Sequence, residues 1–455
     1  MDTISAISTP AGTGGISVMR ISGENAFGII SKIFSKSRKN DKYFDANLVP
    51  THTIHFGNIF DDKLIVDEVL VSIFKNPNSY TGEDSIEISS HGGRLIAEKI
   101  INCILKKGAR YANPGEFTQR AFLNGRIDLV QAEAVAELIN SETDMAHSAS
   151  INQLEGKLSE YLRKIRQDII NVTSLIELEL DFAEEDVEFV KKNEFISLIN
   201  NIINDLNIIL ETYISGKIIR NGVQLVITGK PNCGKSSLFN SLLQSQRAIV
   251  SVIPGTTRDY IQENLIINGI LFNLIDTAGL RITEDEIESE GINRTYGKIK
   301  DADLILYLID SSQSEETIKK DILLYENFIE KDKTLRIFSK SDLSKNLENF
   351  EGFKISIYDV SSIENLKKEM SSKFKFAEDR LESNRIILTN LRHKICLEKV
   401  IESLNIALQT LEMKYSGEFI SVDLRNALNS LGEITGEVTN DDILNNIFSH
   451  FCIGK

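Results

Sequence analysis

A glycine-rich loop limits this fold more than any other feature: the nine residues Gly229 to Ser237 (GKPNCGKSS) directly follow the apolar run Val223 to Ile227. In that placement a strand ends, Gly229 and Gly234 let the backbone turn its amides inward, and a helix predicted to begin at Ser236 points its partial positive end at an anion. Asn232, Cys233, Gly234, Lys235, Ser236 and Ser237 form the phosphate cradle. Lys235 is expected to reach the β- and γ-phosphates and Ser236 to ligate Mg²⁺. The chain is a nucleotide-binding protein.

Further motifs follow in the order that a GTPase needs. Ile270 to Ile275 reads as a buried strand ending in Asp276-Thr277-Ala278-Gly279. An aspartate leaving a strand there can hold Mg²⁺ through water, and the Gly279 amide can bond the γ-phosphate and sense its loss. Upstream, the polar loop Gly255 to Asp259 contains Thr256 and Thr257, and the Thr257 hydroxyl is expected to complete the metal's coordination. After the predicted strand Leu335 to Phe338 the chain reads Ser339-Lys340-Ser341-Asp342. Asp342 can accept both hydrogen bonds from the N1 and exocyclic amino edge of guanine, so guanine is the predicted base. Ser339 stands where asparagine is usual, which shortens a tie to the phosphate loop. Leu280 follows the DTAG motif and cannot orient an attacking water. The acidic segment Glu284 to Glu288 supplies the replacement candidates.

A length of 455 residues allows about three domains. No long apolar run exists, and the opening MDTISAIS has neither the basic start nor the apolar stretch of a signal peptide, so a cytoplasmic protein without membrane contact is expected. Cys103, Cys233, Cys396 and Cys452 show no paired metal spacing. A net charge of −15 restricts any RNA contact to a local basic surface or to a partner protein.

Ile16 to Ile21, Asp67 to Phe74 and Ser85 to Ser89 read as strands, with a helix from Gly92 to Lys106. Beyond Gly125 the period becomes helical: Leu154, Leu158, Tyr161, Ile165, Ile169 and Val172 form one stripe, and Phe195, Leu198, Ile202, Leu206 and Ile209 another. A third stripe runs through Leu391, Ile395, Leu397, Ile401, Leu404 and Leu408. Helical blocks thus flank the GTPase section, which predicts that it is inserted into a helical domain.

Across its whole length the chain resembles the MnmE (TrmE) family of tRNA-modification GTPases. The likeness rests on the motifs above, on DTISAISTPAGTGGISVMRISG, NSYTGEDSIEISSHGG and NPGEFTQRAFLNGRIDLVQAEAVAELI, and on the terminal FCIGK. It implies a multidomain chain: an α+β folate-binding and dimerising domain at 1–118, an all-α domain at 119–215 and 379–455, and an inserted Ras-like α/β P-loop GTPase at 216–378. By the same resemblance Glu288 orients the attacking water, and Asn232, Ser251, Ile253 and Thr256 hold K⁺ beside the phosphates. The resemblance also implies that GTP is hydrolysed when two GTPase domains meet.

Arg20, Glu87, Arg126 and Lys455 match the family's folate positions, for 5-formyltetrahydrofolate or a related one-carbon folate. Thr13 stands where arginine is common. Cys452 is a candidate thiol beside that ligand, with a small buried hydrophobe as the plainer reading. The implied partners are a second copy, an MnmG-like flavin protein and tRNA, and the implied product is a modified carbon 5 of the wobble uridine. A rival reading is a non-catalytic GTPase switch on RNA or ribosomes, which has no need of a folate pocket.

Overall fold

The computed structural model describes residues 2–39, 44–181, 192–244, 262–275, 301–328, 331–344, 350–382, 386–413 and 417–455. It divides into two compact units. One comprises Met1–Ile139, Ile151–Ile203 and Cys396–Lys455, and the other Asn140–Ser150 and Asn204–Ile395, so the second interrupts the first in sequence.

The first unit opens with seven strands: β1 Ile4–Ile7, β2 Ile16–Ser22, β3 Phe34–Ser35, β4 Thr53–Asp61, β5 Leu64–Phe74, β6 Ser85–His91 and β7 Arg110–Tyr111. They lie in the order β3-β4-β5-β6-β2-β1-β7, antiparallel except for β1 beside β7. Alternation decides the faces. Met19, Ile21, Val69, Val71, Ile73, Ile86 and Ile88 point to a core closed by helices Ala26–Ile33 and Arg94–Lys106. Their neighbours in sequence, including Arg20 and Glu87, occupy the other face, where Arg20 and Glu87 are register partners across β2 and β6. Farther along that face Ile54, Phe56 and Leu70 are exposed (67%, 63% and 44%).

The rest of this unit is helical. Helix Lys157–Asp181 lies along helix Gly417–Thr435, where Glu177 accepts hydrogen bonds from Arg425 at 2.7 Å and Ser421 at 3.2 Å. Asn440 caps the last helix, Asp441–Ser449, by accepting from the Ile443 amide at 2.8 Å, and two aspartates follow in its first turn. The chain then doubles back. Gly115 and Gly454 both take positive φ, and a Cβ on either would meet backbone oxygen, Phe448 O at 2.7 Å and Ile7 O at 2.6 Å. Only glycine lets the terminal residues press onto β1 and onto the start of helix Glu116–Leu123.

The second unit holds six strands: β8 Val223–Gly229, β9 Gln262–Ile267, β10 Ile270–Ile275, β11 Leu304–Asp310, β12 Thr334–Ser339 and β13 Phe353–Lys354. Their order is β13-β12-β11-β8-β10-β9, with only β9 antiparallel. Continuous apolar runs such as LILYLID in β11 suit strands buried on both faces.

The helical stripes differ from the pattern read in sequence. Leu154 ends helix Asp144–Leu154, and the turn at Gly156 (φ 84°) separates it from Leu158. Leu198 is 41% exposed while Ile199 is buried. In helix Leu391–Glu412, Leu391 and Ile395 are exposed, and Cys396, Leu397, Val400, Leu404 and Ala407 form the buried face. Runs with several apolar residues per turn fit two overlapping stripes, and packing selects one.

Candidate functional sites

The phosphate loop leaves β8 and enters helix Lys235–Gln244, which begins one residue before the predicted start. Gly229 (φ 145°) cannot be replaced cheaply, because a Cβ there would lie 2.4 Å from Leu308 O and 2.9 Å from Cys233 Sγ. Asn232 (φ 63°) and Gly234 (φ 94°) are left-handed as well. Such alternation of backbone sign turns successive amides toward one point. The Lys235 ammonium donates to Gly229 O at 2.9 Å and to Lys230 O at 2.7 Å. Ser236 and Ser237 are exposed in the first turn of the helix.

Parallel register brings the base-reading loop to the same edge. Gly229 pairs with Leu308, and Asp310 with Ser339, so β8, β11 and β12 end together. The Ser339 hydroxyl donates to Cys233 O at 2.6 Å, so the tie expected to be shortened is in place, made by a hydroxyl. Lys340, itself left-handed (φ 57°), donates to Asn232 O at 2.9 Å and to Asp310 Oδ2 at 2.6 Å. Burial pushes the Asp310 carboxyl up, but Lys340 and the Ser312 hydroxyl and amide outweigh it and hold the group below the usual carboxylate range. Asp342 is exposed on the turn Ser341–Leu343. That turn is fastened to the neighbouring loop by Ser341 N donating to Ile355 O at 3.1 Å. Ser251, Ile253, Thr256, Thr257, Asp276, Thr277, Ala278, Gly279 and Glu288 lie outside the described residues.

A second cluster forms on the outer face of the first sheet. Arg20 donates to Glu87 Oε1 from Nε at 3.0 Å and from Nη2 at 2.7 Å, and its guanidinium carbon stands 5.0 Å from the Tyr80 ring centre and 5.5 Å from that of Phe117. Arg20 Nη1 is buried and has no hydrogen-bond partner among the described residues. The tail is held by Ser8 Oγ donating to Gly454 O at 3.2 Å, which carries Lys455 into this group. Burial, then the Arg20 charge, push the Lys455 ammonium below the ordinary lysine range, while Glu87 and Cys452 pull the other way.

Cys452 is exposed, so it is not the buried hydrophobe of the plainer reading. Its carbonyl accepts from Gly115 N at 3.4 Å. Arg126 is exposed on the loop after helix Glu116–Leu123, its Cγ facing Gly82, and no described contact joins it to Arg20, Glu87 or Lys455. Thr13 sits in an exposed loop. Tyr80 and Phe117 escaped the sequence reading, although both lie inside the NSYTGED and NPGEFTQR motifs that carried the resemblance.

Two family profiles cover nearly the whole chain: "GTP-binding protein TrmE N-terminus" over residues 3–126 and "MnmE helical domain" over residues 129–452. The chain belongs to the MnmE family of tRNA modification GTPases. Relatives bearing that name include those of Christiangramia forsetii, 42% identical over 100% of this chain and 99% of theirs, and Flavobacterium johnsoniae, 45% identical over the same shares. The Aquifex aeolicus relative is 41% identical over 100% of both chains. Among solved structures, the G domain of the T. maritima FeoB iron transporter aligns at 24% identity over 33% of this chain and 98% of that one, with a TM-score of 0.25. Among the described residues no helix is long and apolar enough to cross a membrane.

Proposed function

We propose that this chain is a Mg²⁺- and K⁺-dependent GTPase that acts as a homodimer on tRNA in the cytoplasm. With an MnmG-like flavin protein it installs an aminomethyl or carboxymethylaminomethyl type group at carbon 5 of the wobble uridine. Its functional parts are residues 1–118, 119–215 with 379–455, and 216–378. The observation that carries the nucleotide reading is the pair of bonds from Ser339 and Lys340 to the carbonyls of Cys233 and Asn232, which join a base-reading loop to a phosphate loop.

In the nucleotide site Lys235 would neutralise phosphate charge, and Ser236, Thr257 and Asp276 would hold Mg²⁺. Asn232, exposed on a left-handed turn, offers an amide oxygen to K⁺ together with Ser251, Ile253 and Thr256. A bound alkali ion there supplies positive charge as the terminal phosphoryl leaves. Glu288 orients the water that attacks.

In the second site the residues suit a folate. Arg20 Nη1 is an unsatisfied buried donor, Lys455 adds a cation, Glu87 an acceptor, and Tyr80 and Phe117 two aromatic planes. A bound folate supplies a one-carbon unit. Arg20, Glu87 and Lys455 bind and orient it, Arg126 is assigned to its outer part, and Cys452 is the nearby thiol. The exposed row Ile54, Phe56 and Leu70 is the face we assign to the homodimer.

The test is GTP hydrolysis by the purified chain in K⁺ and in Na⁺, with and without Glu288→Ala. Turnover is expected to be at least about tenfold faster in K⁺ and to collapse in the variant. Equal turnover in both salts overturns the alkali-ion assignment, and an unimpaired variant overturns the role of Glu288.

A further inference from the structure

Tyr80 lies on the loop between β5 and β6, and the backbone of that loop is fastened at the residues on either side of it. Ser79 Oγ donates to Glu83 O at 2.5 Å, Asn124 Nδ2 donates to Thr81 O at 2.7 Å, and the hydroxyls of Thr81 and Ser22 meet at 2.7 Å. These bonds place the backbone and leave the Tyr80 ring its own side-chain torsions. The far end of the ring is held separately: Tyr80 Oη and Thr118 Oγ1 are 2.9 Å apart, and either can donate. Burial pushes the Tyr80 phenol up, outweighing Thr118 and the Arg20 charge, so it stays protonated and keeps a hydrogen to share. Thr118 is fully buried in the first turn of helix Glu116–Leu123, next to Phe117. Both rings beside Arg20 therefore trace to adjacent residues of one helix, Phe117 directly and Tyr80 through Thr118.

Building on the folate reading, we propose that Thr118 is a positioning residue: its hydroxyl fixes the Tyr80 ring beside the Arg20 guanidinium, which keeps Arg20 Nη1 aimed at the ligand, and it touches no ligand itself. Glu87 takes Nε and Nη2 of the planar fork, so a fixed plane leaves Nη1 one direction. Thr118 is shut away from solvent, and its influence on a ligand has to pass through Tyr80. The two hydroxyls then act as one unit. Removing either breaks the same bond, and removing the second adds nothing. A threonine that only filled space would behave otherwise, since valine has nearly its shape.

The experiment is calorimetric titration of wild type, Thr118→Val, Thr118→Ser, Tyr80→Phe and the double variant Thr118→Val/Tyr80→Phe with 5-formyltetrahydrofolate, alongside near-ultraviolet circular dichroism and thermal melting. The chain has no tryptophan, so that dichroism reports its tyrosines and phenylalanines. Thr118→Val is expected to weaken the folate about fivefold, the order expected of one hydrogen bond, and to lose the dichroism of an ordered Tyr80 ring, while Thr118→Ser restores both. Tyr80→Phe weakens the folate to the same extent, and the double variant binds as Tyr80→Phe does. If the valine variant melts early, Thr118→Cys, of serine's size and with only a weak donor, is compared with Thr118→Ser instead. Unchanged affinity in the variant that lacks the hydroxyl, or a double variant weakened by the product of the two single losses, overturns the proposal. A wild type that fails to bind 5-formyltetrahydrofolate overturns instead the folate reading beneath it.

Discussion

The phosphate loop and the cluster around Lys455 are both candidate sites that carry a lysine, and they are built in opposite ways. The first is one run of consecutive residues whose backbone does the binding, completed by the ends of two adjacent parallel strands. The second is drawn from the two ends of the chain, with contacts such as Ser8 to Gly454 spanning 446 positions, and relies on side chains. A backbone site depends on a few glycines and a single lysine. A side-chain site spreads its affinity and depends on the fold that assembles it.

Loss of that one lysine sets the upper limit of the contrast. Lys235→Ala is expected to lower kcat/KM for GTP at least about 100-fold, with the first unit's melting unaltered. A change under tenfold would mean that the loop does not bear the phosphate charge.

For the second site the matching dependence is on assembly. Arg120 is buried and bonds Glu116 at 3.0 Å, Asp2 at 2.8 Å and Glu83 at 3.2 Å. Arg120→Ala removes one of two cations from the buried Glu116 carboxylate, which keeps Arg110 at 2.6 Å, and leaves Glu83 without its cation, so chemical denaturation of the first unit should show a loss of about 1 to 2 kcal/mol. The Arg110 bond, foremost, holds the Asp2 carboxyl below the usual range. Burial pushes Glu116 up, but Arg110, the Asn113 amide and Arg120 outweigh it. Both folded values are depressed, so their contribution is complete above about pH 5, beyond the ordinary carboxylate values, and disappears as pH falls through the folded ones. Acid melts followed by circular dichroism check that sign.

Spread affinity predicts smaller losses from single ligands. Arg20→Ala should weaken 5-formyltetrahydrofolate about tenfold in a fluorescence titration, because Glu87 then lacks its partner and the unsatisfied donor is gone. The smallest effect is expected from pH. Lys455 has a lowered value and loses its charge as pH rises through it, so affinity for an anionic folate should fall a few-fold between about pH 7 and pH 10. That slope should vanish in Lys455→Met. A slope that persists there assigns the titration to another group.

The same contrast explains what could be read in advance. GKPNCGKSS names its own strand, turn and helix, and SKSD follows a strand, so the nucleotide site and the α/β layer were legible locally. Nothing in the local sequence says that Lys455 lies beside Arg20, since only packing of the tail on β1 brings them together. Those residues were reached through the resemblance, and Tyr80 and Phe117, which complete the group, were not reached at all. The amphipathic stripes failed for a related reason. Segments such as NEFISLINNIIN offer two apolar faces, and the choice between Leu198 and Ile199 is made by partners far away in sequence.

The most direct test of guanine reading at the strand ends is the nucleotide preference of Asp342→Asn, measured as hydrolysis of GTP and of XTP. Asp342 is exposed, so the exchange leaves the fold alone. An amide in place of the carboxylate cannot accept from both the N1 and amino groups of guanine but can donate to the carbonyl that xanthine carries there. GTP turnover should fall at least about 100-fold while XTP becomes the better substrate. An unchanged preference for GTP over XTP would contradict the assignment of Asp342.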